Sequence, residues 1–287
     1  MIRLALGITL DYEVFDPGCD FIFNIHAAHT GRQQVVHEAL TLSQQIPVSV
    51  AADPVSRNRY MRLRALPGPL SVNYLATVDI DHHVGQSQQI AELPVAQLPT
   101  SVLGYIYPSR YCQSDRLQNL ANREFGHLQP GYARVQAVRD WVRQRTAFTA
   151  NTSNSATSAI DTLLEHVGVC RDFAHLMIAL CRALNIPTRF ATGIDYGADL
   201  ALGPTDFHAY VEAYLGDRWY LFDPSGTAIP MGLLRFGTGR DAADVAFATI
   251  FGPVRSLPPR LSVEVVAGAD GQLRLPALGD LALSTDG

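Results

Sequence analysis

The stretch that most constrains how this chain can fold is Phe173 to Leu184, an apolar helix pattern closed at both ends. Phe173, Leu176, Met177, Leu180, Cys181 and Leu184 recur at i, i+3, i+4, i+7, i+8 and i+11, and Ala174, Ile178 and Ala179 widen the stripe. A helix apolar around most of its circumference has to be central, with the rest of the domain packed around it. Gly168 breaks the chain ahead of it, and Asn185-Ile186-Pro187 stops it at the far side. Cys170 therefore falls at or within the first turn.

That position gives Cys170 more than a place in the core. First-turn N–H groups have no intrahelical partner; with the positive end of the dipole they stabilise a thiolate and can donate to an oxyanion. A cysteine beside an apolar helix is ordinarily buried and inert, but the downstream sequence reverses that weighting here. Phe207, Ala209, Val211, Ala213 and Leu215 alternate with His208, Tyr210, Glu212 and Tyr214, the pattern of a strand. Gly216-Asp217 reads as a two-residue turn and Arg218 to Phe222 as the return strand.

With that turn Leu215 pairs with Arg218, and Tyr210 lies opposite Asp223. His208 and Asp223 become diagonal neighbours on one face, roughly 7–8 Å apart at the backbone, within reach of a side-chain hydrogen bond. A slip of one residue would separate them. Cys170, His208 and Asp223 thus supply a nucleophile, a base and an orienting acid for acyl transfer.

Neighbouring residues take quieter roles. His175 follows Cys170 by five residues, which turns it well round the helix, so it reads as a structural histidine. Asp172 reads as a first-turn acid favoured by the dipole, with positioning of a loop as its second reading. Cys181 shares a helix face with Cys170 but lies three turns away, too far for a disulfide. His26, His29, His37 and the pair His82-His83 have no cysteine or acidic set at ligand spacing beside them, so neither a metal nor another cofactor is expected. Asn151-Thr152-Ser153-Asn154-Ser155 reads as a solvated polar loop, with the border of the active-site cleft as the alternative.

The run Gly-Val-Cys-Arg-Asp-Phe-Ala-His-Leu at 168–176, Phe-His-Ala at 207–209 and Asp-Pro at 223–224 resembles the transglutaminase-like superfamily, in its bacterial branch of candidate cysteine proteases. Pro108-Ser109-Arg110-Tyr111-Cys112, Ser114-Asp115-Arg116-Leu117 and the segment 239–246 are similar to that branch as well. Asn58-Arg59-Tyr60-Met61-Arg62-Leu63 resembles its accessory domain more weakly. The likeness covers almost the whole chain and is strongest from about residue 100 to 252. It implies an α+β fold: a papain-like transglutaminase core, in which the helix carrying the cysteine packs on an antiparallel sheet, preceded by a β-rich domain. It also implies Cys170 as nucleophile, His208 as base and Asp223 as orienting acid.

Composition agrees. At 287 residues the chain is long enough for one large or two modest domains. A net charge of −5 gives no reason to expect nucleic acid, and no apolar stretch approaches the roughly 20 residues of a membrane span. Ile2 to Leu10 reads as a first strand rather than a signal peptide. Four scattered cysteines then suggest reduced thiols in the cytoplasm.

Proline punctuation near 92–110 divides the chain into a β-rich accessory domain over 1–95, a catalytic domain over 96–257 and a strand with a polar, fraying tail over 258–287. Helical spacing runs over Asp115 to Phe125 and Tyr132 to Arg145, and Ser158 with Asp161 marks another helix start.

The expected reaction is attack by Cys170 on a protein or peptide amide, with hydrolysis favoured because water needs no second pocket. Transfer to an amine is the alternative, and a non-catalytic binding or scaffold protein is the reading from another class. The chain has no lysine, so an enzyme acylating lysine amines could not crosslink itself. The backbone N–H of Cys170 would form half an oxyanion hole; no glutamine stands between Asp161 and Val169 to complete it in the papain manner.

Overall fold

The computed structural model describes residues 1–198, 201, 205–277 and 279–286. Its architecture is α+β. The strands β1 (Ile2–Val14), β2 (Cys19–Phe23), β3 (Gln33–Leu42), β4 (Val48–Ala52), β5 (Arg59–Ala65) and β6 (Gly68–Ile80) form two antiparallel sheets, and β7 (His83–Gly85) follows them. Alternation in β1 is complete. Ile2, Leu4, Leu6, Ile8, Leu10, Tyr12 and Val14 are buried and the residues between them half-exposed, so the strand turns one side into a core. β1 pairs with β6 along its full length, and Leu4, Ile8, Tyr74, Phe21 and Phe23 belong to the core shared by the two sheets.

The helices are α1 (Gln118–Phe125), α2 (Tyr132–Arg145), α3 (Ala159–Glu165) and α4 (Cys170–Ala183); the short strands β8 (Ala147–Phe148) and β9 (Val167–Gly168) pair in parallel just ahead of α4. The Asp161 carboxylate accepts from the Ser158 N–H at 2.8 Å and from its Oγ at 2.7 Å, which starts α3 where the sequence marks it. Every residue of α4 from Asp172 to Ala183 is buried. The helix packs on β10 (Thr188–Asp195) and β11 (His208–Leu215) of a four-stranded antiparallel sheet ordered β12 (Arg218–Phe222), β11, β10, β13 (Leu233–Gly239). Ala209, Val211, Ala213 and Leu215 of β11 share a core with Met177, Leu180 and residues of α1 and α2. Truncating the fully buried Leu180 to alanine in such a core costs about 2–5 kcal/mol.

The last part of the chain returns to the N-terminal sheets. β14 (Ala248–Phe251) pairs with β2, β15 (Val254–Ser256) and β16 (Arg260–Val265) pair with β1, and β17 (Ala282–Ser284) pairs with β7. The expected strand from Leu261 is β16, but residues 282–286 further along the tail are docked rather than frayed. Ala282, Leu283 and Ser284 are buried, and the Asp286 carboxylate accepts from Arg235 at 2.5 Å and from Arg189. Arg235 is buried beside Glu212, at 2.8 Å, and Asp286 supplies its second carboxylate. A polar tail reads as solvated until a buried cation that needs it is known.

Candidate active site

Cys170 is the first residue of α4, after an extended Val169. Asp172, three residues beyond Val169, reaches back to accept the Val169 N–H at 2.9 Å, the acidic half of a capping box. Its other oxygen accepts from Ser153 Oγ at 3.1 Å and lies 3.5 Å from Arg171 Nε, so Asp172 caps the helix and also holds the polar loop that crosses it. Gly168 permits this close approach: a Cβ there would stand 2.7 Å from that of Asp172. The N–H groups of Asp172 and Phe173 bond to the Val169 carbonyl. Those of Cys170 and Arg171 are the first-turn donors left without a helical acceptor.

Cys170 is half-buried, whereas Cys19, Cys112 and Cys181 are buried. Burial pushes the thiols of Cys112 and Cys181 up to about 12, which leaves them inert at neutral pH.

The β11–β12 hairpin has the register read from its turn. Leu215 pairs with Arg218 and Val211 with Phe222, and Gly216 takes φ +60°, as a two-residue turn with glycine first requires. His208 Nε2 lies 3.5 Å from Asp223 Oδ1, at the outer edge of hydrogen-bond distance. The same oxygen accepts from the Ser225 N–H at 3.0 Å and from its Oγ at 2.6 Å, so the turn after Asp223 fixes the carboxylate. Cys170 Sγ meets the Phe207 carbonyl at 4.0 Å, one residue from His208. The thiol, the imidazole and the carboxylate are thus brought to one end of the helix–sheet interface.

Sequence reasoning missed Asp195 and Tyr210. Asp195, at the end of β10, lies with Oδ2 3.4 Å from His208 Nδ1 while its Oδ1 accepts from the Tyr210 hydroxyl. Burial pushes the Asp195 carboxyl up to about 6 despite His208 and Tyr210. Burial also works against a charged His208, yet the negative charges of Asp195, Cys170 and Asp223 outweigh it and hold the imidazole well above its usual pKa. Burial alone would raise Asp223, but His208 and the Ser225 donors keep it below the ordinary carboxylate range.

His175 is structural, as its helical position implies. It stacks on Tyr111, with ring centroids 4.9 Å apart, and its Nε2 accepts the Ala242 N–H at 3.2 Å. Arg182 of the same helix bonds the carbonyls of Tyr107, Thr188 and Arg240, and Asp241 accepts the Tyr111 N–H at 3.0 Å. These contacts fasten the 107–111 and 240–243 loops together over α4.

A cavity of about 960 Å³ opens at the Cys170 end of α4, with Cys170, His208, Asp195, Phe148, Phe207 and Phe247 among the residues of its wall. Asn151, Ser153 and Ser155 also line it, so the polar loop does border the cleft. Asn151, at φ +63°, and Arg171 are also among the lining residues.

A half-buried cysteine at a helix N-terminus, beside a histidine flanked by carboxylates and open to a cavity, is the arrangement of a thiol-dependent enzyme. The chain belongs to the transglutaminase-like superfamily. Residues 118–224 match the transglutaminase-like superfamily core, and residues 3–101 match the N-terminal domain of bacterial transglutaminases. The solved structure of a candidate cysteine protease from Cytophaga hutchinsonii is 37% identical, with a TM-score of 0.91 over 99% of this chain and 97% of that one. An uncharacterised protein of Mycobacterium leprae is 31% identical over 147 residues, 49% of this chain and 52% of that protein, so the match spans about half the length of that curated relative.

Proposed function

We propose that the protein is a cysteine hydrolase of amide or peptide bonds, working through Cys170, His208 and Asp223. The observation that carries this reading is the convergence of a half-buried thiol on the first turn of α4 with an imidazole whose ring nitrogens both face carboxylates. Cys170, as thiolate, attacks the substrate carbonyl, and the oxyanion forms next to the free N–H groups of the helix start. His208 as imidazolium protonates the leaving amine, and the C–N bond breaks to give a thioester. The neutral imidazole then takes a proton from water, whose oxygen displaces the thiolate and releases the acid. Because Nε2 faces Asp223, the proton exchanged with substrate is the one at Nδ1.

Transfer to an amine uses the same three residues and differs only in the second nucleophile. The test is turnover of fluorogenic peptide amides and of a glutamine-containing peptide, with and without an added primary amine. Release of free acid or ammonia that is indifferent to amine supports hydrolysis; product carrying the amine in preference to water assigns transfer. Activity surviving in Cys170→Ala would remove the reading altogether.

A further inference from the structure

The proposed mechanism uses one carboxylate on the imidazole, and the structure supplies two. We propose that Asp195 is a positioning residue for His208, a second carboxylate that pairs by charge with the Nδ1 side of the ring while Asp223 meets Nε2. This inference rests on the catalytic reading of His208 but is carried by its own geometry. Asp195 Oδ2 is 3.4 Å from Nδ1, and Asp223 Oδ1 is 3.5 Å from Nε2.

Strand pairing builds the clamp. β10 and β11 register Gly193 against His208 and Ala191 against Tyr210, so Asp195, two residues past Gly193, stands on the face that carries His208 and Tyr210. Gly193 lets β13 approach β10 closely at this point: a Cβ there would lie 2.2 Å from the Leu234 carbonyl oxygen. The Tyr210 hydroxyl holds Asp195 Oδ1 and leaves Oδ2 to the ring.

The charged and titratable groups facing Asp195 are His208 and Tyr210 from β11 and Asp223 from the end of β12, and Cys170 of α4 acts in turn on His208 and Tyr210. On β13 its pairing partner is Leu233, and the nearby Arg235 is bonded to Glu212 and Asp286. Among the described residues, His208 is therefore the cation that Asp195 pairs with. Asp195 pairs with the ring by charge rather than by taking the Nδ1 proton, which stays with the substrate side, and this second anion favours the imidazolium that protonates the leaving amine.

The test is nitrogen-15 histidine NMR of the whole chain across pH, with the His208 signals assigned by their loss in His208→Gln. In Asp195→Asn, which keeps an acceptor for Tyr210, the pKa of His208 falls by about 1–3 units, the shift expected for losing an opposite charge at this distance. The unaltered protein gives a second readout: Nδ1 shows an inflection near pH 6, where Asp195 ionises, that is much smaller at Nε2. A His208 titration unmoved in Asp195→Asn, or an Nδ1 curve without that inflection, overturns the proposal. Failure of the catalytic reading would register separately, as Cys170 alkylation indifferent to His208, with these shifts still in place.

Discussion

His175 and His208 are both buried, both lie near α4, and their surroundings give them opposite charge. His175 is sandwiched between the rings of Tyr111 and Phe190 and accepts a backbone N–H. Its nearest acid, Asp241, is already bonded by the N–H groups of Tyr111 and Ala243, and burial holds His175 low enough to stay neutral. His208 faces two carboxylates and is held as a cation. The difference teaches that neither burial nor closeness in sequence to Cys170 decides which imidazole is charged. What decides it is which imidazole has a carboxylate left to face it.

The comparison breaks most visibly through the proposed nucleophile. Cys170→Ala is expected to lower amide turnover by at least about 10³-fold, with far-UV circular dichroism unchanged. His208→Ala costs about 10²–10⁴-fold in kcat/KM. Asp223→Asn costs less, because the Ser225 donors and Asp195 remain to orient the ring. Steady-state rates on one substrate rank the three.

The two carboxylates of the clamp also predict a pH dependence of stability. Asp195 is raised to about 6 in the folded state, against roughly 3.9 unfolded, so between these values the native state holds the extra proton. Its contribution is therefore fully present below about pH 3.9 and lost as pH rises through about 6, amounting to about 3 kcal/mol. His208, raised from about 6.5, adds stability that is present below that value and lost only as pH climbs through its elevated pKa. Urea unfolding at several pH values checks the sign: the stability of the parent relative to Asp195→Asn declines from pH 4 to 7.

The smallest effect belongs to the neutral histidine. His175→Gln loses the ring stack, leaves the Ala242 N–H to find a new acceptor, and costs about 1–3 kcal/mol of stability. The pH profile of the enzyme that remains folded stays as it is. A shifted profile would mean that the two histidines are not the separate systems described here.

Short connections made part of this site legible in sequence. The turn at Gly216-Asp217 fixes register, so the proximity of His208 to Asp223 could be derived from two residue types and a count. Helix periodicity fixed Cys170 at the start of α4 and turned His175 away from it. Asp195 stayed hidden because residues 196–207 join β10 to β11, and a connection of that length sets no register. The strands β14 to β16 were unreadable as members of the N-terminal sheets for the same reason, since long-range pairing leaves no local signature.

The central claim, that Cys170 works as one unit with the His208 imidazolium, is tested most directly by the pH dependence of iodoacetamide alkylation at Cys170. Mass spectrometry follows it in the parent and in His208→Ala, with Cys19, Cys112 and Cys181 as buried internal controls. The account predicts selective labelling of Cys170 with a rate plateau that extends well below pH 7 in the parent and disappears in His208→Ala. Slow labelling along an ordinary thiol curve in both proteins would contradict it.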